Sequence, residues 1–187
     1  MTEEDLIENF QNYEVPENLM ALFMFVNQVS GQEYFSDGFE FSADKEKLGL
    51  KTYSTDELFL NSIHEFANAD GTGSTYAFWL KDNITNLENA PIVVFGSEGG
   101  YHVVAKNLDE LLQILTFDCE PMVGWDEVYY YKNTDEYEPS RKITEYRKWL
   151  KKELSIDSLD NADPIVQSAQ NEYQASFKAW VGNFYDD

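Results

Sequence analysis

Thr75-Tyr76-Ala77-Phe78-Trp79-Leu80, Pro91-Ile92-Val93-Val94-Phe95 and Tyr101-His102-Val103-Val104-Ala105-Lys106 are three short runs rich in β-branched and aromatic residues. Each has strand length, and glycine-bearing turns bound them, Gly71-Thr72-Gly73-Ser74 before the first and Gly96 to Gly100 before the third. The second and third runs pair naturally as an antiparallel hairpin. The centre of the chain is therefore read as antiparallel sheet.

Outward from that centre the pattern turns helical. Thr2 is placed to cap a helix whose Leu6, Ile7 and Phe10 share one face, and Pro16 stands where a second helix begins. Leu19, Leu22, Phe23 and Val26 carry the helical spacing on to Gly31. Glu33-Tyr34-Phe35 and Phe39-Glu40-Phe41, separated by Asp37-Gly38, predict a first hairpin. Ser54-Thr55-Asp56-Glu57 and Asn107-Leu108-Asp109-Glu110 have the form of capping boxes, the second preceding a stripe of Leu108, Leu111, Leu112 and Leu115.

Residues 118–140 read as a loop. Ile143, Tyr146, Trp149 and Leu150 then recur at helical spacing. Asp163-Pro164 predicts a cap with proline at the first helical position, followed by the stripe Val166, Ala169, Tyr173, Phe177, Trp180 and Phe184. So long an apolar stripe is expected to pack back on the sheet. The fold class is α+β, an antiparallel sheet of about four to six strands flanked by helices, with a helical C-terminal extension.

Composition narrows the function. The 187 residues are 43% hydrophobic and 16% aromatic, far too apolar for a disordered acidic tail, so the formal charge of −22 belongs to a folded surface. Arg141, Lys142, Arg147, Lys148, Lys151 and Lys152 hold six of the 13 basic residues. Less the charge of Glu145, residues 141–152 carry +5, which leaves −27 elsewhere. Such a field repels nucleic-acid phosphates and anionic lipid and attracts cationic proteins, which dock away from the basic helix. No apolar run reaches the roughly 18 residues of a membrane span, and the acidic start is no signal peptide, so a soluble, cytoplasmic protein is expected.

Residues capable of chemistry are sparse. His64 and His102 are the only histidines, and Cys119 is the only cysteine, with no His or Cys at metal spacing. All three are read as structural. Gly71-x-Gly73 and Gly96-x-x-Gly99-Gly100 lack the lysine and the strand-to-helix setting of phosphate loops, and hairpin turns account for them. The acids Asp82, Asp118, Asp126, Asp135 and Glu136 do not form a twelve-residue calcium loop. Among so many carboxylates no pair stands out for glycoside hydrolysis. No enzyme activity, metal or cofactor is expected.

From Asp70 to Leu80, through Pro91 to Gly99 and Val103 to Leu108, with the helix opened by Val15-Pro16, the chain resembles the SUKH superfamily in its Smi/Knr branch. That family holds bacterial immunity proteins and fungal cell-wall-synthesis regulators. The resemblance covers roughly 15–117, and 140–187 is similar to a helical extension of some bacterial members. It implies one SUKH-like domain over 1–187, in which Gly71, Gly73, Trp79, Pro91 and Gly96 are structural. It further implies a non-enzymatic immunity protein that occludes a cationic toxin domain, often a nuclease. Asp44, Asp70 and Glu98, acids at or near predicted sheet turns, are the candidate partner contacts. A regulatory scaffold in cell-wall synthesis or signalling, and a small-ligand sensor, stay open.

Overall fold

Residues alternate faces along a strand, yet Tyr76-Ala77-Phe78-Trp79 and Ile92-Val93-Val94-Phe95 are buried throughout. The sheet must therefore be covered on both sides. A computed structural model, describing residues 1–10, 13–30, 33–81 and 86–184, shows how. Strands β1 (Glu40–Phe41), β2 (Ile63–Asn68), β3 (Thr75–Trp79), β4 (Ile92–Phe95) and β5 (Tyr101–Ala105) form one antiparallel sheet in chain order.

One face carries Phe66, Tyr76, Phe78, Ile92, Val94 and Val104. It is covered by helices α1 (Glu3–Asn9), α2 (Glu17–Phe25), α4 (Leu108–Leu115) and α5 (Ile143–Leu154). The other face carries Ile63, Ala77, Trp79, Val93, Phe95 and Val103, packed by α3 (Glu57–Ser62) and α6 (Asp163–Val181). The expected stripe on α6 lies on the sheet: Phe177 is fully buried, with its ring centroid 4.9 Å from that of Trp79.

Side chains occupy the β5 edge and the stretch of β2 that the two-residue β1 leaves unpaired, which hinders another chain from adding a strand there. At β5, Gln174 of α6 accepts a 2.7 Å hydrogen bond from the Val103 amide. At β2, Lys47 Nζ donates to the Ile63 carbonyl at 3.1 Å and Asn9 Nδ2 to the Glu65 carbonyl at 3.0 Å.

Local expectations meet several corrections. The 33–41 hairpin does not form: only Glu40–Phe41 is strand, and it pairs with β2. Phe35 and Phe39 instead turn into the core, ring centroids 5.3 Å apart, while the Asp37 amide is bound by Asp118 Oδ1 at 2.9 Å. The 118–140 loop contains a hairpin, β6 (Pro121–Val123) and β7 (Val128–Tyr130), whose strands are too short for a periodicity reading.

Asp56 rather than Ser54 caps α3, and Ala162 rather than Asp163 is the N-cap of α6. Thr2 does cap α1, yet Ile7 points to solvent while Leu6 and Phe10 are buried. Asn107 caps α4 as expected. Gly31 and Asp82 lie outside the described residues.

Candidate functional site

In a meander of five strands, alternate turns fall at the same end of the sheet. The β2–β3 turn with Asp70 and the β4–β5 turn with Glu98 therefore become neighbours. Thr72 and Ser97 hydroxyls lie 2.8 Å apart, and the Ser97 amide donates to Ser74 Oγ at 3.1 Å. Asp70 is the turn's organiser: its Oδ1 accepts from Thr72 N at 2.8 Å, Thr72 Oγ1 at 2.9 Å, Gly73 N at 2.9 Å and Ser74 N at 3.0 Å. Burial acts to raise its pKa, but the hydrogen bonds from Ser74 and Thr72 outweigh burial and hold it below the ordinary value.

The hairpin β6–β7 completes this end. Glu120 Oε1 accepts from the Gly71 amide at 3.0 Å, and His102 Nε2 sits 2.8 Å from the Gly124 carbonyl. Gly99, at φ +104°, lies under the indole of Trp125, and a side chain on Gly99 would run into that ring. Gly96 is equally constrained, with Val123 Cγ1 2.9 Å from where its Cβ would be.

Glu98, Asp126 and Glu127 stand exposed around the joined turns. Burial raises the pKa of Glu120, and the neighbouring Asp37 and Asp70 carboxylates add to it. Two of the three expected contacts, Asp70 and Glu98, thus belong to one rigid acidic end. Of the residues expected to be structural, Gly71, Gly73 and Gly96 lie in these turns. Trp79 is buried against Phe177, and the carbonyl of buried Pro91 accepts from the Trp79 amide at 2.9 Å.

Asp44 lies elsewhere, toward the other end of β2. Its Oδ2 accepts from the Leu48 amide at 2.6 Å and its Oδ1 from Glu46 N at 3.1 Å. It borders a pocket of about 220 Å³ with Lys47, Asn61, His64 and Glu65. His64 packs on Phe10, centroids 4.4 Å apart, and its Nε2 has no hydrogen-bond partner; Glu65 Oε2 has none either. The expectation of a satisfied structural histidine therefore fails at His64 and holds at His102.

Burial, with the Lys47 charge behind it, pulls the His64 pKa to about 4, and burial raises that of Glu65. Adjacent on a strand, the two side chains leave on opposite faces of the sheet, and both border the same pocket.

Cys119 offers no nucleophile. Its thiol donates to the Tyr131 carbonyl at 2.9 Å, and burial pushes its pKa up to about 11. Among the described residues no three His, Cys, Asp or Glu side chains are grouped to hold a metal ion, and no helix is long and apolar enough to cross a membrane.

Reasoning from sequence missed Glu120 and Trp125, and weighed Asp118 only as one of several surface acids short of a calcium loop. Asp118 is almost fully buried, and its carboxylate takes Asp37 N at 2.9 Å, Ser140 N at 2.9 Å and the Tyr137 hydroxyl. In the sequence it is one acid among many. Comparison with family models, with curated proteins and with solved structures finds no match for the chain.

Proposed function

We propose that the chain is a non-enzymatic, cytoplasmic binding protein, an immunity protein of the SUKH kind that neutralises a cognate toxin, often a nuclease, by occlusion. The observation that carries this reading is the acidic end of the sheet. There three connections fold into one hydrogen-bonded unit with Asp70, Glu98, Glu120, Asp126 and Glu127, on a chain of −22. Turns tied together by hydrogen bonds need little backbone reordering on binding.

A nuclease is cationic where it grips phosphate, so an acidic cover competes for that surface and is steered to it, with on-rates raised roughly ten- to a thousand-fold. The +5 stretch on α5 does not oppose this. Arg141 pairs with Glu33 at 2.7 Å, Lys151 with Asp157 at 2.7 Å and Lys152 with Glu153 at 2.5 Å, and Arg147 donates to the Thr116 carbonyl.

The test is to mix the purified chain with the product of the gene adjoining its own, chosen for toxicity when expressed alone. Toxicity should be abolished and the affinity should fall steeply with salt; persistent toxicity overturns the reading, and tight binding indifferent to salt removes its electrostatic part. A second reading, a small-ligand sensor, draws on the pocket beside His64 and Glu65. A metabolite retained in native mass spectrometry supports it, and an empty chain from every growth condition counts against it.

A further inference from the structure

Among the described residues nine large hydrophobic side chains are exposed, and four of them fall between positions 122 and 131: Met122 (52%), Trp125 (67%), Tyr129 (44%) and Tyr131 (66%). Register explains why they point outward. Met122 and Tyr129 are a direct cross-strand pair, so they share the face opposite to buried Pro121 and Tyr130. Tyr131 continues that alternation.

The inward side is fixed. The Tyr130 hydroxyl lies 2.9 Å from that of Tyr76 within the core, and the Gly124 amide closes the turn on the Glu127 carbonyl at 2.9 Å. The Trp125 indole lies close against Gly99, yet the residue is 67% exposed. The outward aromatics therefore cannot relieve their exposure by turning in. A protein seldom leaves so concentrated a patch uncovered unless something binds it.

We propose that the hairpin β6–β7 is the docking face, and that its occupant is an arginine-bearing surface of the cationic protein; this rests on the binding reading above. Asp126 and Glu127 follow Trp125 directly in sequence, and Glu98 adjoins the Gly99 on which it lies. A guanidinium is planar and weakly hydrated. It stacks on Trp and Tyr faces while its N–H fork pairs with carboxylates, so one side chain answers both halves of the patch. An apolar partner would bury these carboxylates unpaired, which is costly. A nucleic acid would stack on the rings but meet the acids with its phosphates. A second copy of the chain would bring another −22.

The experiment titrates the isotope-labelled full chain with an oligo-arginine peptide and with an oligo-lysine peptide of equal length, at low ionic strength, followed by NMR. Amide shifts are expected at residues 120–131 and at Glu98 and Gly99. Oligo-arginine should bind about threefold more tightly than oligo-lysine, and Trp125→Ala should weaken it about fivefold and erase the preference. Should Trp125→Ala lower the thermal midpoint, Tyr129→Ser with Tyr131→Ser, both on the exposed face, serves in its place.

Shifts that map elsewhere, or an arginine preference that survives both sets of substitutions, overturn the hairpin as docking face while leaving the acidic-binder reading intact. Failure of both peptides to bind removes that reading as well. A concentration-dependent dimer with its interface at 120–131, or binding of oligonucleotide there, assigns the face to another occupant.

Discussion

His64 combines an imidazole nitrogen without a partner and a pKa pulled from 6.5 to about 4 by burial and the Lys47 charge. Over that window the unfolded chain binds a proton that the folded protein refuses. Stability present above pH 6.5 is therefore lost as pH falls toward 4, by about 3 kcal/mol for the whole shift. Glu65 works the other way: its raised pKa makes the folded state gain stability as pH falls toward 4.5. His64→Phe separates the two. Urea midpoints for this variant should decline less with acid than those of the parent chain, and parallel curves would contradict the assignment.

Two further residues have consequences at the same scale. Asp118→Ala removes the buried carboxylate that holds the part-buried Asp37 and Ser140 amides and the Tyr137 hydroxyl, and should cost about 2 kcal/mol in chemical denaturation. Gly99→Ala must hold φ near +104° and displace the Trp125 indole. A loss of about 2 kcal/mol is expected, together with a red shift in fluorescence as the indole leaves its seat.

Elements were legible in sequence where burial was two-sided or strongly periodic. The strands at 75–79, 92–95 and 101–105 are continuous apolar runs because helices cover both faces, and the α6 stripe is long enough to register against noise. Phe177 sits at its centre, touching Trp79, Phe95 and Tyr101, and Phe177→Ala should cost about 4 kcal/mol by calorimetry. Reading failed where tertiary contacts overrode local signals. Asp37-Gly38 looks like a hairpin turn, but Phe35 and Phe39 on either side are drawn into the core and Asp118 takes the backbone amide. The β6–β7 strands, three residues each, gave too little alternation to see. The acidic site was half legible. Asp70 and Glu98 could be placed at turns, but their junction with Glu120 spans 49 residues of sequence and is visible only in the folded chain.

For the whole molecule, charge is proposed to set the range of partners and the sheet's turn end to set where they land. In that proposal the −27 outside residues 141–152 acts at long range and speeds encounter with a cation, whereas docking would depend on the carboxylates near the exposed aromatics. Asp44 holds its own turn beside the His64 pocket, apart from the acidic end with Asp70 and Glu98. The two effects separate in one measurement, the association and dissociation kinetics with the proposed cationic partner for two charge-matched variants. Glu98→Gln, Asp126→Asn and Glu127→Gln together should slow association about tenfold and speed dissociation; Glu3→Gln, Glu4→Gln and Glu8→Gln together should slow association about twofold and leave dissociation unchanged. Equal effects from the two triple variants, on both rates, would contradict the account.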